Sequence, residues 1–141
     1  MERKDFILKI VQGSAVVFGC SCFWGCGEDD NGITSPTPPS GVDFTLDLIE
    51  TPNSSLQNTG GFLYRGGIII ANIGNNNFVA FQQACTHQGT TIQYEHTNSR
   101  FHCPNHGSNF SLNGSVINGP ATRNLKQYTT ELNGDSLRVF G

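Results

Sequence analysis

The chain has 141 residues, 36% apolar and 13% charged, with a formal net charge of −3. That length suits one domain with a packed core and leaves no room for a large enzyme scaffold. Lys and Arg are sparse and scattered, which excludes nucleic acid as the main partner, because phosphate contacts need clustered cations. Fourteen Asn and 17 Gly against five Ala disfavour helices, since Asn and Gly populate turns and left-handed backbone. An all-β, loop-rich domain is expected.

Residues 1–25 read as an export signal. Arg3, Lys4 and Lys9 are the only cations before Arg65, and an uncharged run of 18 residues, Ile10 to Gly27, follows them. A short basic start ahead of an apolar run has the shape of a signal peptide. An uncleaved membrane anchor is the alternative, but Gln12, Gly13, Ser14, Gly19, Ser21 and Gly25 make the run a poor span. Arg3-Lys4-Asp5-Phe6-Ile7-Leu8-Lys9 resembles a twin-arginine signal with Lys4 in place of the second Arg. Val17-Phe18-Gly19-Cys20 and Phe23-Trp24-Gly25-Cys26 each resemble a bacterial lipobox, whose Cys is lipidated and becomes the new N-terminus. Cys26 is preferred over Cys20, because Gly27-Glu28-Asp29-Asp30 after it is similar to the acidic stretch of surface lipoproteins in some Gram-negative bacteria. The implied address is the bacterial cell envelope, at the outer membrane or cell surface rather than the inner membrane.

Residues 26–41 would then be a lipidated N-terminus and a linker. Pro36, Pro38 and Pro39 stiffen it toward polyproline II, and it offers nothing to nucleate a core. The domain occupies residues 42–141. Val42 to Leu48 alternates apolar and polar residues as a strand does. Ile68-Ile69-Ile70 is a β-branched run suited to a buried strand. Gly74-Asn75-Asn76-Asn77 is a turn, and Phe78-Val79-Ala80-Phe81 is the returning partner. Leu125 to Leu132, a turn at Asn133-Gly134-Asp135, and Ser136 to Phe140 form a second hairpin. Between Ala84 and Ala121 lies a long insertion.

The insertion carries the chemistry. Cys85-Thr86-His87 is followed, after 15 residues, by Cys103-Pro104-Asn105-His106. A Cys85–Cys103 disulfide is the ordinary expectation for an exported protein. Two histidines at short offsets from both cysteines point instead to a metal held between two loop tips. A tetrahedral zinc is chemically allowed by this donor set. His96 and His102 lack ligand spacing.

Cys85-Thr86-His87-Gln88-Gly89 and Cys103-Pro104-Asn105-His106-Gly107-Ser108-Asn109-Phe110 closely resemble the two cluster-binding loops of the Rieske iron–sulfur proteins. Gly119-Pro120-Ala121 resembles that family's proline loop. The likeness runs from about Val42 to Phe140 and implies an antiparallel β-sandwich or barrel base with a two-loop cluster subdomain. It implies that Cys85 and Cys103 ligate one iron of a [2Fe–2S] cluster and that His87 and His106 ligate the other. Ligands of that kind place reduction potentials at roughly −150 to +300 mV. The resemblance also implies a histidine edge facing solvent and a pH-dependent potential. Ser108 keeps the family's donor to a bridging sulfide. Phe110 replaces a Tyr that donates to a ligand sulfur, and Thr90 and Asn105 replace the cysteines of a loop-to-loop disulfide. A lost donor leaves the reduced cluster less stabilised, so a potential below the respiratory class is expected.

Two functions follow from the likeness, and one stands against it. The chain could be a one-electron carrier tethered to the envelope, with a redox partner protein or membrane complex and no small-molecule substrate of its own. It could be a non-catalytic subunit of a larger oxidoreductase. The non-redox alternative is a structural or interaction module that a cluster or a zinc ion only staples.

Overall fold

The computed structural model describes residues 36–141. The expected export signal, Cys20, Cys26 and the linker before Pro36 lie outside the described residues.

In chain order the strands are β1 (Asp43–Asp47), β2 (Phe62–Arg65), β3 (Ile68–Gly74), β4 (Asn77–Gln82), β5 (Gln93–Glu95), β6 (Arg100–His102), β7 (Asn109–Ser111), β8 (Val116–Asn118), β9 (Gln127–Asn133) and β10 (Ser136–Phe140). Six of them form the base sheet in the order β1-β10-β9-β4-β3-β2, and β5-β6-β7-β8 form a four-stranded sheet. Every pairing between strands is antiparallel. The expected all-β architecture with a separate two-loop part is therefore the observed one.

The pair β3–β4 is the wall between two cores. Ile68 and Ile70 with Ala80 face a core shared with Leu46, Leu56, Leu137 and Val139. Their neighbours Ile69, Ala71 and Phe81 face the opposite way, onto Ile92, Phe101, Phe110 and the two cysteines. Side chains alternate across a strand, so only a strand apolar at every position can serve two cores at once. Ile68-Ile69-Ile70-Ala71 is such a run, and all four residues are fully buried.

Turn chemistry sets the hairpins. Asn75 and Asn76 sit at φ of 54° and 57° between β3 and β4, the left-handed pair that a two-residue turn needs and that Asn tolerates. Between β9 and β10 the two turn residues are Gly134 and Asp135. Among the regions that escaped the sequence pattern, Thr51–Gln57 is a 3-10 helix entered through Pro52. The end of the expected linker lies against the domain, where Tyr128 Oη donates to the Pro39 carbonyl at 2.6 Å.

Candidate metal centre

The stretch from Ala84 to Ala121 folds into two loops of one design, set on the four short strands. In the first, the Cys85 N–H donates to Thr90 O and the Gly89 N–H donates to Cys85 O, both at 2.8 Å. In the second, the Cys103 N–H donates to Ser108 O at 2.8 Å and the Gly107 N–H donates to Cys103 O at 3.0 Å. Each loop is a closed turn from a Cys to a Gly four residues on, and each of those glycines sits at φ +81°. A β-carbon is strained in that region. Cys-x-x-x-Gly twice over was thus a readable signal of two equivalent turns.

The turns bring like donors together. The Cys85 and Cys103 thiols are neighbours; both are buried and both are free. Burial pushes the Cys85 thiol above its ordinary range and the adjacent Cys103 adds to this, while the His87 backbone N–H and the Ser108 hydroxyl oppose it. Thiolate is the form that binds metal, and the positive charge of a metal favours that form in a dry site. The His87 and His106 rings stand 4.9 Å apart, nearly perpendicular. His106 is exposed and His87 half-buried, so the imidazole edge reaches the surface while the sulfurs stay inside.

One atom tests whether this site suits a metal. His87 Nδ1 is buried and has no hydrogen-bond partner. A buried polar atom left alone costs about 1–3 kcal/mol, and a metal ion is one of the few partners that would satisfy it. Thiol beside thiol and imidazole beside imidazole offers one pair of donors to each of two metal atoms. Among the described residues, no three His, Cys, Asp or Glu side chains gather around a point that could hold a single ion. A two-iron group fits the donors better than one tetrahedral zinc.

Polar contacts hold the loops in place. The Ala121 N–H donates to Ser108 Oγ at 2.9 Å, which leaves the Ser108 proton for the Cys85 sulfur. Gly119-Pro120, joined by a cis peptide bond, is exposed, and Ala121 beside it is buried. Phe110 is fully buried in β7. Asn118 Nδ2 donates to Gly107 O at 2.9 Å and to Gly119 O at 3.0 Å, and Asn109 Nδ2 donates to Asn118 Oδ1 at 2.7 Å. These carboxamides stitch the second loop to the Gly119-Pro120 turn, and the sequence reading missed them. The first loop is tied by Thr86 Oγ1, which donates to Arg123 O at 2.7 Å. The remaining histidines have other partners: His96 Nδ1 lies 3.0 Å from Tyr94 Oη, and His102 Nδ1 lies 2.8 Å from Asn109 Oδ1.

An antiparallel base sheet that carries two Cys/His loops defines a class, and the family comparison agrees with it. The model of the Rieske [2Fe-2S] domain matches residues 45–129. The chain belongs to that family, and its cofactor is the Rieske-type [2Fe–2S] cluster. Among its relatives is the cytochrome b6-f complex iron-sulfur subunit of Chlorobaculum thiosulfatiphilum, 27% identical over 98% of this chain and 75% of that one. The corresponding subunit of Synechococcus sp. strain JA-3-3Ab is 38% identical over 49% of this chain and 37% of its own length. The cyanobacterial plasma membrane Rieske protein PetC3 of Synechocystis PCC 6803 superposes with a TM-score of 0.54 at 29% identity, covering 62% of this chain and 93% of that chain.

Proposed function

We propose that this protein is a one-electron carrier in which the Cys85 and Cys103 thiolates hold one iron and the neutral imidazoles of His87 and His106 hold the other. The observation that carries the reading is the sorting of donors by two equivalent turns, thiol with thiol and imidazole with imidazole. When bound, the cluster accepts and returns a single electron. Around it, Ser108 donates its hydroxyl proton toward the sulfur side, and Ala121 fixes that hydroxyl by donating to its oxygen. Phe101, Phe110 and Ile92, all fully buried, keep water from the sulfur side. His106 and the Gly119-Pro120 turn face outward, where an electron partner can approach. The chain acts as a carrier and not itself as an enzyme, with bond-making chemistry left to its partner. The relatives named as subunits of a cytochrome b6-f complex support service to a larger membrane complex or oxidoreductase.

We also propose a lipid tether at Cys26, with Cys20 as the second choice, that holds residues 42–141 at the bacterial envelope. Mass spectrometry of the membrane-extracted chain is expected to find the lipid, and Cys26→Ala is expected to remove it. Retention of the lipid by that variant would move the tether to Cys20. The carrier reading is tested by counting iron and sulfide and recording the EPR spectrum of the reduced chain. Two irons, two sulfides and a reversible one-electron signal are expected; zinc without a visible spectrum would end the reading.

A further inference from the structure

The charged side chains of the described residues are sorted along the molecule. Arg138 pairs with Asp43 at 2.8 Å and Glu131 at 3.8 Å, and Arg100 pairs with Glu95 at 2.6 Å. Arg65, Arg123, Lys126, Asp47, Glu50 and Asp135 remain outside any ion pair among the described residues.

All three remaining cations lie at the cluster end. The carbonyl of Arg123 accepts from Thr86, between the first loop's Cys and His. The Lys126 N–H donates to the buried Gln82 at 3.0 Å, and Gln82 in turn donates to Ala84 O at 2.7 Å, just before Cys85. Arg65 begins the β2–β3 turn, whose Gly67 carbonyl accepts from the Gln83 N–H at 2.9 Å. Arg123 and Lys126 line one shallow cavity with Gln82, Thr86 and Pro38. From Gln83 to Ile92 and from Phe101 to Thr122 there is no Asp, Glu, Lys or Arg at all. The three acids are at the other end: Asp47 closes β1 and Glu50 follows it, while Asp135 lies in the β9–β10 turn and accepts from the Leu48 N–H at 2.8 Å. A chain of net charge −3 therefore gathers its three unpaired cations at the cluster end, where the Arg65 guanidinium lies over the Phe44 ring at 5.8 Å and the Lys126 ammonium over the Tyr128 ring at 5.2 Å.

We infer that this face docks an acidic surface on the partner protein that exchanges the electron, with Arg65, Arg123 and Lys126 as the recognition charges. The inference rests on the carrier reading above. Arg123 is bonded to the first loop, and Lys126 and the turn after Arg65 are bonded to the residues just before it, so a partner that pairs with these cations is brought to the cluster end. The acids at the far end meanwhile repel the same partner from unproductive orientations.

The test uses the full chain, reduced, with two inorganic oxidants of opposite charge. Hexacyanoferrate(III) takes one electron from the reduced protein and becomes hexacyanoferrate(II), with no bond broken in the protein. Its rate is expected to fall roughly tenfold from low to physiological ionic strength, as steering by a local positive face requires. Tris(phenanthroline)cobalt(III), a cation, is expected to change the other way. R65E/R123E/K126E should reverse the hexacyanoferrate slope, and R65Q/R123Q/K126Q should flatten it. Independently of the cluster, the wild-type chain should be retained on immobilised polyglutamate and both variants should not. Salt slopes that follow the net charge of −3, or variants retained like the wild type, would overturn the proposal. So would a hexacyanoferrate slope that emerges only in E28Q/D29N/D30N, because the chain's own acidic stretch would then occupy the cations. Pelleting with phosphatidylglycerol vesicles, lost in R65E/R123E/K126E and without polyglutamate retention, would assign the face to lipid and overturn it too. If neither oxidant reacts, the carrier reading fails, and the polyglutamate result alone decides the inference.

Discussion

The base sheet and the four-stranded sheet share the wall β3–β4, yet they are held together by different means. Strands of the base run four to seven residues, and the core behind them is aliphatic apart from Tyr128 and flanking Phe side chains. Strands β5 to β8 are three residues each. Their core is aromatic, with Phe81 and Phe101 edge to face at 5.1 Å, and it ends in two thiols. Where the base relies on ladder hydrogen bonds and dry packing, the cluster side relies on left-handed glycines, carboxamide bridges and donors that need a metal. A scaffold can be stable by itself, whereas a redox site built on its edge remains incomplete until its cofactor binds.

The sharpest way to break this contrast is Cys85→Ser or Cys103→Ser. Either variant is expected to lose all cluster iron and the amide-exchange protection of β5–β8 while β3 and β4 stay protected. Equal loss of protection in both sheets would show that the base depends on the cluster as well. Next in size is Phe101→Ala or Phe110→Ala, each emptying a fully buried aromatic site. Thermal or denaturant unfolding of the apoprotein should register about 3–5 kcal/mol. Gly114→Ala probes the contact between the two sheets, since its β-carbon would lie 2.7 Å from Phe81 Cε1 at a φ of +82°. A loss of about 1–3 kcal/mol is expected from that overpacking, and a neutral result would mean that Phe81 can yield.

Asn109→Leu separates bracing from packing. It leaves Asn118 Oδ1 and His102 Nδ1 without their partner, a cost of about 0.5–1.5 kcal/mol for each lost bond, and should shift the midpoint potential because the second loop loosens. An unchanged potential with lowered stability would make the carboxamide merely structural. The smallest effect is expected at the rim of β5–β6. A hydrogen bond from Arg100, seconded by Asn98, holds the Glu95 carboxyl below its usual range. Stability from this pair is therefore present above the ordinary carboxylate pKa and lost as the pH falls through the depressed one. Glu95→Gln should flatten that acid limb in pH-dependent unfolding; an unaltered limb would remove the pair from the account.

The base was legible because its signals are long. Ile68-Ile69-Ile70, the Asn-rich turn and the Asn133-Gly134-Asp135 hairpin each state their role over several residues, and the structure places each as read. The four Cys and His residues stood out for a different reason: paired Cys/His spacing is rare enough to be noticed without any periodicity, and the fold brings thiol to thiol and imidazole to imidazole. Between those extremes the signal vanished. Strands of three residues such as Arg100-Phe101-His102 cannot display an alternation, so the insertion showed no strand pattern although about a third of it is sheet. The Asn118 and Asn109 bridges were equally hidden, since Asn in this sequence mostly marks turns and only tertiary position turns it into a brace. Charge sorting was hidden too, because it arises from which ends of the strands meet.

The central claim is that donors are sorted by kind, two sulfurs on one iron and two imidazoles on the other. Pulsed EPR of the reduced chain, labelled with nitrogen-15 at histidine, tests it most directly. The account predicts two histidine nitrogens coupled to the same iron, with one coupling abolished in His87→Cys and the other in His106→Cys. One coupled histidine in the wild-type chain, or none, would contradict it.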